Sequence, residues 1–168
     1  MPQSNTREYE RGMGDELWRR SLYTYWKRAC PPPSLMTFDA PTREFCTVRR
    51  ITTNTPLQAL VLWNDEQFVE AARGLATRTL HDAGDDGARV GLAFRRCTGR
   101  LPTPAEASQI AAALADLRKR YADEPAAADG VLSLGASPVA ADLPRPELAA
   151  WTLLCSALLD LDATLCRS

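Results

Sequence analysis

Thr52-Thr53-Asn54-Thr55-Pro56-Leu57-Gln58-Ala59-Leu60 marks the point where this chain turns from irregular, Pro-rich, basic sequence into repeated helix. Thr55 followed three residues later by Gln58 is a capping box: the hydroxyl accepts from the Gln58 backbone N–H while the Gln58 side chain reaches back to the Thr55 amide. Pro56 falls at the first helical position, where a missing N–H costs nothing and the fixed φ already suits a helix. The stretch therefore specifies a helix start and carries no chemistry of its own. Leu57, Leu60 and Val61 are the expected apolar side of that helix, and Trp63-Asn64 its end.

Downstream, the 3.6-residue period takes over. Asn64 or Asp65 is placed to cap a second helix, in which Phe68, Ala72, Leu75 and Thr79, flanked by Val69, Ala76 and Leu80, form one face. A solvated linker over 81–87 closes it. A third helix is expected over 88–97, with Val90, Ala93, Phe94 and Cys97 inward and Gly99 as a left-handed terminator. Thr103-Pro104-Ala105-Glu106 repeats the capping logic and opens a helix with Ile110, Leu114, Leu117 and Tyr121 on its buried face. Arg118, Lys119 and Arg120 sit well at its negative end. A short Ala-rich helix over 126–134 stops at Gly135. The last helix, 147–165, aligns Leu148, Trp151, Cys155, Leu158 and Leu165, and is expected to be the most buried of the second half.

Upstream of the opening stretch the pattern is weaker. Residues 1–14 read as a disordered lead, and 15–28 as a helix carrying Leu17, Trp18, Ser21, Leu22, Tyr25 and Trp26, although Leu22 to Trp26 is equally rich in strand-favouring aromatics. Pro31-Pro32-Pro33 ends that element. Residues 34–48 follow as an extended loop with one short regular turn, and Phe38-Asp39-Ala40-Pro41 has the composition of a tight turn. The expected fold class is all-α: one domain over 15–168, an irregular bundle of five or six helices with a long Pro/Arg-rich N-terminal loop segment.

At 168 residues, 45% hydrophobic and 24% charged, with a formal net charge of -1, the composition is that of a globular protein with a core. The N-terminus as written has no apolar signal segment, which by itself points to the cytoplasm, and no run is long enough to span a membrane. The five cysteines include no C-x-x-C pair, so neither a zinc site nor a disulfide framework is indicated. Cys30 and Cys46 flank the loop and could pair in an oxidising compartment, although no spacing rule supports that pairing. His81, the one histidine, lies in a Gly/Asp-rich linker and reads as a surface residue.

Charge is concentrated in one place. Residues 19–50 hold seven basic residues and two acids, a balance of +5, so the rest of the chain sums to -6. The candidate binding residues are Arg20, Tyr25, Trp26, Arg28, Asp39, Arg49 and Arg50, an arginine and aromatic mixture suited to forked hydrogen bonds and stacking on an anionic polymer. A sulfated or uronic-acid glycan fits it better than nucleic acid, given the slightly negative whole. The competing reading is that these arginines satisfy loop carbonyls and pair with Asp39 and Glu44. For an enzyme, Asp39 and Glu44 are the paired carboxylates available for glycosidic chemistry. No C-x-x-C-H haem attachment, Gly-rich phosphate loop or nucleophile elbow occurs, so no catalytic, cofactor or metal residue is assigned.

Several of these motifs fall in an order that resembles a known family. Arg19 to Arg28, Pro31-Pro32-Pro33-Ser34, Phe38-Asp39-Ala40-Pro41, Thr53 to Leu60, Asn64-Asp65, Gly99-Arg100 with Pro102, and Glu147 to Trp151 are similar to the planctomycete-specific C-terminal domain of unknown function (domain of unknown function 1553) of cytochrome c-associated multidomain proteins. The resemblance covers nearly all residues of the chain after Asp15, and on it the chain resembles the tail of a longer protein. The resemblance implies an exported, periplasmic or cell-envelope setting, haem c carried only by an upstream module, and the upstream domains as partners. It offers no catalytic residue to carry over. Asp160 stands where the family usually has Asn, and Ala163 where it usually has Glu. The expected role is a non-catalytic interaction or structural module, with a carbohydrate-active enzyme as the alternative.

Overall fold

The computed structural model describes residues 12, 14–27, 30–49 and 51–166. Its order is two 3₁₀ turns, Gly14–Trp18 and Ser21–Tyr23, then α1 (Pro33–Thr37), α2 (Pro56–Asn64), α3 (Glu66–Asp82), α4 (Asp86–Thr98), α5 (Pro104–Asp123), α6 (Pro125–Leu132), α7 (Arg145–Leu159) and α8 (Asp162–Leu165). The described residues contain no strand, only an isolated antiparallel bridge between Lys27 and Cys30. None of the described helices is long and apolar enough to cross a membrane. The fold is all-α, and the six helices from α2 to α7 match the expected number, with the short α1 and α8 added.

α7 is the axis of the bundle, touching α2, α3, α4, α5, α6 and α8. Its sequence explains this: Leu148, Ala149, Ala150, Trp151, Leu154, Cys155 and Leu158 are all buried, so apolar side chains surround most of its girth. Thr152, also buried, satisfies its hydroxyl by donating to the Leu148 carbonyl at 2.7 Å. The Trp151 indole N–H donates to Glu147 at 2.9 Å. Glu147 in turn accepts from Arg118, whose other face pairs with Asp86, so one guanidinium ties α4, α5 and α7 together. Those two hydrogen-bonded carboxylates hold Arg118 firmly protonated. Its location at the end of α5 suggested a dipole contact, but the side chain serves a tertiary ion pair.

Both capping boxes form. Gln58 N–H donates to Thr55 Oγ1 at 3.3 Å and Thr55 N–H to Gln58 Oε1 at 2.9 Å. At α5, Glu106 N–H donates to Thr103 Oγ1 at 3.3 Å and Thr103 N–H to Glu106 Oε2 at 2.7 Å. The Arg100 guanidinium, with the Thr103 amide, holds the Glu106 carboxyl down at about 2. Asp65 caps α3, and α4 ends on Gly99 at φ 84 with Val90, Ala93, Phe94 and Cys97 buried as expected.

Four expectations are corrected. Where a helix was expected over 15–28, the described residues, which reach 27, form the 3₁₀ turns Gly14–Trp18 and Ser21–Tyr23 and leave Leu22, Tyr23 and Tyr25 exposed, so the i, i+4 spacing there does not mark a buried face. The triple proline starts α1, with Pro33 at its first position, as well as ending what precedes it. On α2 the buried residues are Gln58 and Leu62, while Leu57 and Leu60 are exposed. The final helix is broken: α7 stops at Leu159, and extended Leu161 starts α8. The apolar pattern runs on through the break, which is why the sequence hides it.

A charged clamp fixes the loop after α6. Glu70 and Arg73, one turn apart on α3, are both 3% exposed. Arg73 donates to the carbonyls of Leu132 and Leu134 at 2.6 Å and Ser137 at 2.7 Å. Glu70 accepts from the amides of Ala136 at 2.9 Å and Ser137 at 3.0 Å and from the Ser137 hydroxyl. Burial pushes the Glu70 carboxyl up, but these bonds and the Arg73 charge outweigh it and hold it below its ordinary value. Gly135, at φ 85, is required here, because a Cβ would fall 2.2 Å from Glu70 Oε2.

Candidate functional site

The N-terminal segment is held to the bundle by polar side chains. Asp39 adopts φ 58, a left-handed conformation that aspartate tolerates better than most residues. Its Oδ2 accepts from the Thr53 amide at 2.8 Å, the Thr53 hydroxyl at 2.7 Å and the Gln58 amide group at 3.3 Å. Gln58 Nε2 also donates to the Thr37 carbonyl at 2.9 Å, so the residue that caps α2 also fastens α1 to it. The Phe38 and Phe68 rings, 5.3 Å apart, add an apolar contact to α3. Farther along, Asn54 donates to Asp162 and the Trp63 indole to Asp160 Oδ2, both at 3.0 Å, joining this region to the C-terminal turn.

Above this framework the first 3₁₀ turn, the Ser21–Tyr23 turn and the start of α1 enclose a pocket of about 500 Å³. Arg19, Tyr23, Tyr25, Lys27, Glu16 and Gln67 are among the residues lining it. Gln67 donates to the Leu17 carbonyl at 2.8 Å and so fixes the 3₁₀ turn on α3. The Arg43 guanidinium lies over the Trp26 ring, 4.9 Å from its centroid. The Trp26 indole N–H is buried with no hydrogen-bond partner among the described residues. Its volume falls within the usual range of ligand pockets, while its lining is more polar than is usual for one.

Of the candidate residues, Tyr25 lines this pocket. Arg20, Trp26, Asp39 and Arg49 are not among its lining residues, and Arg28 and Arg50 lie outside the described residues. Arg20 and Arg49 are exposed, and among the described residues neither has a carboxylate partner. Asp39 is turned into the Thr53–Gln58 knot and works as scaffold. Glu44 is exposed, with its backbone N–H 3.4 Å from Thr42 Oγ1. Neither carboxylate lines the pocket. Cys30 and Cys46 are separate thiols, half-buried and exposed respectively. His81 is a surface residue, as expected, and contacts Asp142 at 2.8 Å.

Sequence reasoning missed Arg19, Tyr23, Lys27 and Gln67 as pocket residues. The basic, aromatic composition pointed to the segment but not to which members converge, because convergence depends on the two 3₁₀ turns. Most of the surface apolar groups share this region. Among the described residues, eleven of the fourteen large exposed hydrophobic side chains fall between Trp18 and Trp63, among them Tyr25 at 82%, Phe45 at 79% and Val48 fully exposed.

A family model described as PSD1: Protein of unknown function (DUF1553) matches residues 1–114. The match takes in the whole basic segment and ends within α5, so it starts before Asp15 and stops short of the Glu147 to Trp151 motif. No curated protein and no solved structure matches the chain.

Proposed function

We propose that this chain, which belongs to the PSD1 family of proteins of unknown function (DUF1553), is a non-catalytic interaction module whose basic, aromatic N-terminal segment binds an anionic polysaccharide. The observation that carries this reading is the outward display of residues 18–63: exposed Tyr23, Tyr25, Phe45 and Ile51 interleaved with exposed Arg19, Arg20, Arg43 and Arg49. Exposed apolar groups concentrated in one stretch of chain and interleaved with charge are what an interaction surface draws on. Arginine forks suit carboxylate and sulfate groups, and aromatic rings suit the faces of sugars. The engagement of Asp39 with Thr53 and Gln58 favours binding over glycosidic chemistry. An envelope-associated, cytochrome-linked multidomain assembly, with haem c in an upstream module, is the setting in which such a ligand is met.

The test is titration with heparin and with polygalacturonate at rising salt. Affinity should fall with ionic strength, since exposed charges are screened within about 8–10 Å under these conditions. Arg20→Ala plus Arg49→Ala should weaken binding by roughly tenfold or more. Unchanged affinity in that double variant, or binding indifferent to salt, removes the proposal.

A further inference from the structure

A second pocket, of about 520 Å³, lies between Trp18 and the middle of α3. Three features of it point to a ligand. Gly74 lines it in mid-helix, where glycine is destabilising relative to alanine, yet an added Cβ would meet only Arg78 Nη2, at 4.0 Å. No protein group needs that space, so bare helix backbone forms an open floor. Trp18, 47% exposed, supplies an aromatic wall. Arg78 is positioned by donating from Nε to the Gly74 carbonyl at 3.2 Å, and its terminal nitrogens have no partner among the described residues.

From this geometry we infer that the pocket is a subsite for an acidic sugar, a pyranose ring bearing one carboxylate. The Trp18 face and the Gly74 floor accommodate the C–H face of the pyranose chair, and the Arg78 fork takes the carboxylate. Thr77 and Ser137 also line the pocket; their hydroxyl protons go to the Arg73 carbonyl and to Glu70, which leaves each oxygen a lone pair facing donors only. The hydroxyls of a sugar ring supply such donors, and a purely aromatic anion has none. The inference deepens the polysaccharide reading and rests on it, because it names the unit of the polymer. Both pockets border the same 3₁₀ turn: Leu17 lines the first and Trp18 the second.

The experiment uses the full chain, isotopically labelled, titrated with sodium glucuronate, glucose and sodium acetate while the Trp18 indole and Arg78 Nε signals are followed. Glucuronate should shift both saturably, and the neutral sugar and the bare anion should not. Gly74→Leu should abolish saturation while leaving the thermal midpoint equal or higher, since leucine favours helix over glycine. Arg78→Ala should weaken it at least about tenfold. Saturation retained in either variant, equal response to glucose or acetate, or no saturable response overturns the subsite. If polygalacturonate binds wild type and Gly74→Leu equally, the subsite fails and the polymer reading stands. If glucuronate saturates the pocket but Arg20→Ala plus Arg49→Ala leaves polymer affinity intact, the reverse holds.

Discussion

The chain before Asp65 and the chain after it solve opposite problems. After Asp65, helices bury their apolar stripes: of the twenty buried hydrophobic residues among those described, nineteen lie from Val69 onward, and Leu62 is the exception. Before it, described backbone with little regular structure is pinned by Asp39, Thr53 and Gln58, while large apolar side chains such as Leu22, Tyr25, Phe45 and Ile51 are exposed. One region is organised by what it hides and the other by what it shows. An outward-facing surface on a separately stabilised frame can vary in its contacts without endangering the fold, and that is the property a binding surface requires.

The comparison is tested most severely by matched truncations of aromatic residues. Trp151→Ala, at a fully buried position, should cost about 3–5 kcal/mol in urea unfolding, from lost transfer energy and the cavity left behind. Tyr25→Ala, at 82% exposure, should stay within about 0.5 kcal/mol. Comparable losses at the two sites would mean that the N-terminal segment belongs to the same cooperative core and is not a display surface.

A smaller effect sharpens what holds the displaying region in place. Gln58 is 1% exposed, and its one amide group bonds to the Thr55 amide, the Thr37 carbonyl, Thr53 and Asp39. Gln58→Leu keeps the volume and strands those partners, at a cost of about 1–3 kcal/mol. Amide hydrogen exchange should quicken at residues 36–40 and 53 while α7 stays protected. Uniform quickening, or none, would place the knot elsewhere.

What could be read from the sequence divides along the same line. Thr55-Pro56-Leu57-Gln58 and Thr103-Pro104-Ala105-Glu106 were legible because a cap is chemistry among four consecutive residues. Val90, Ala93, Phe94 and Cys97 were legible because burial there follows the helical period. The second task of Gln58, bonding to Thr37 and Asp39 some twenty residues back, leaves no local trace. Nor does the burial of Glu70 and Arg73, which clamp a loop sixty residues away. The candidate site was legible as composition, an arginine and aromatic cluster, but its pocket depends on two 3₁₀ turns where a single helix was expected.

The finest test concerns α2, where the periodic reading put Leu57 and Leu60 inside and the structure leaves them 58% and 60% exposed. Hydrophobic residues are not confined to interiors, so the identity of a leucine does not decide the matter; what lies opposite it does. Leu62 on the same helix is buried, and Leu57 and Leu60 share their outward exposure with Trp63 at 42%. Leu57→Ser plus Leu60→Ser should therefore shift the thermal midpoint by no more than about 2 °C, reflecting helix propensity alone. Binding of a hydrophobic dye should fall in the same variant, because the substitutions remove accessible apolar surface. A large loss of stability would restore the periodic reading and put α2 inside the core. An unchanged midpoint with lower dye binding leaves both leucines on the displayed side, where an apolar group contributes little to folding and keeps its contact energy for whatever docks there.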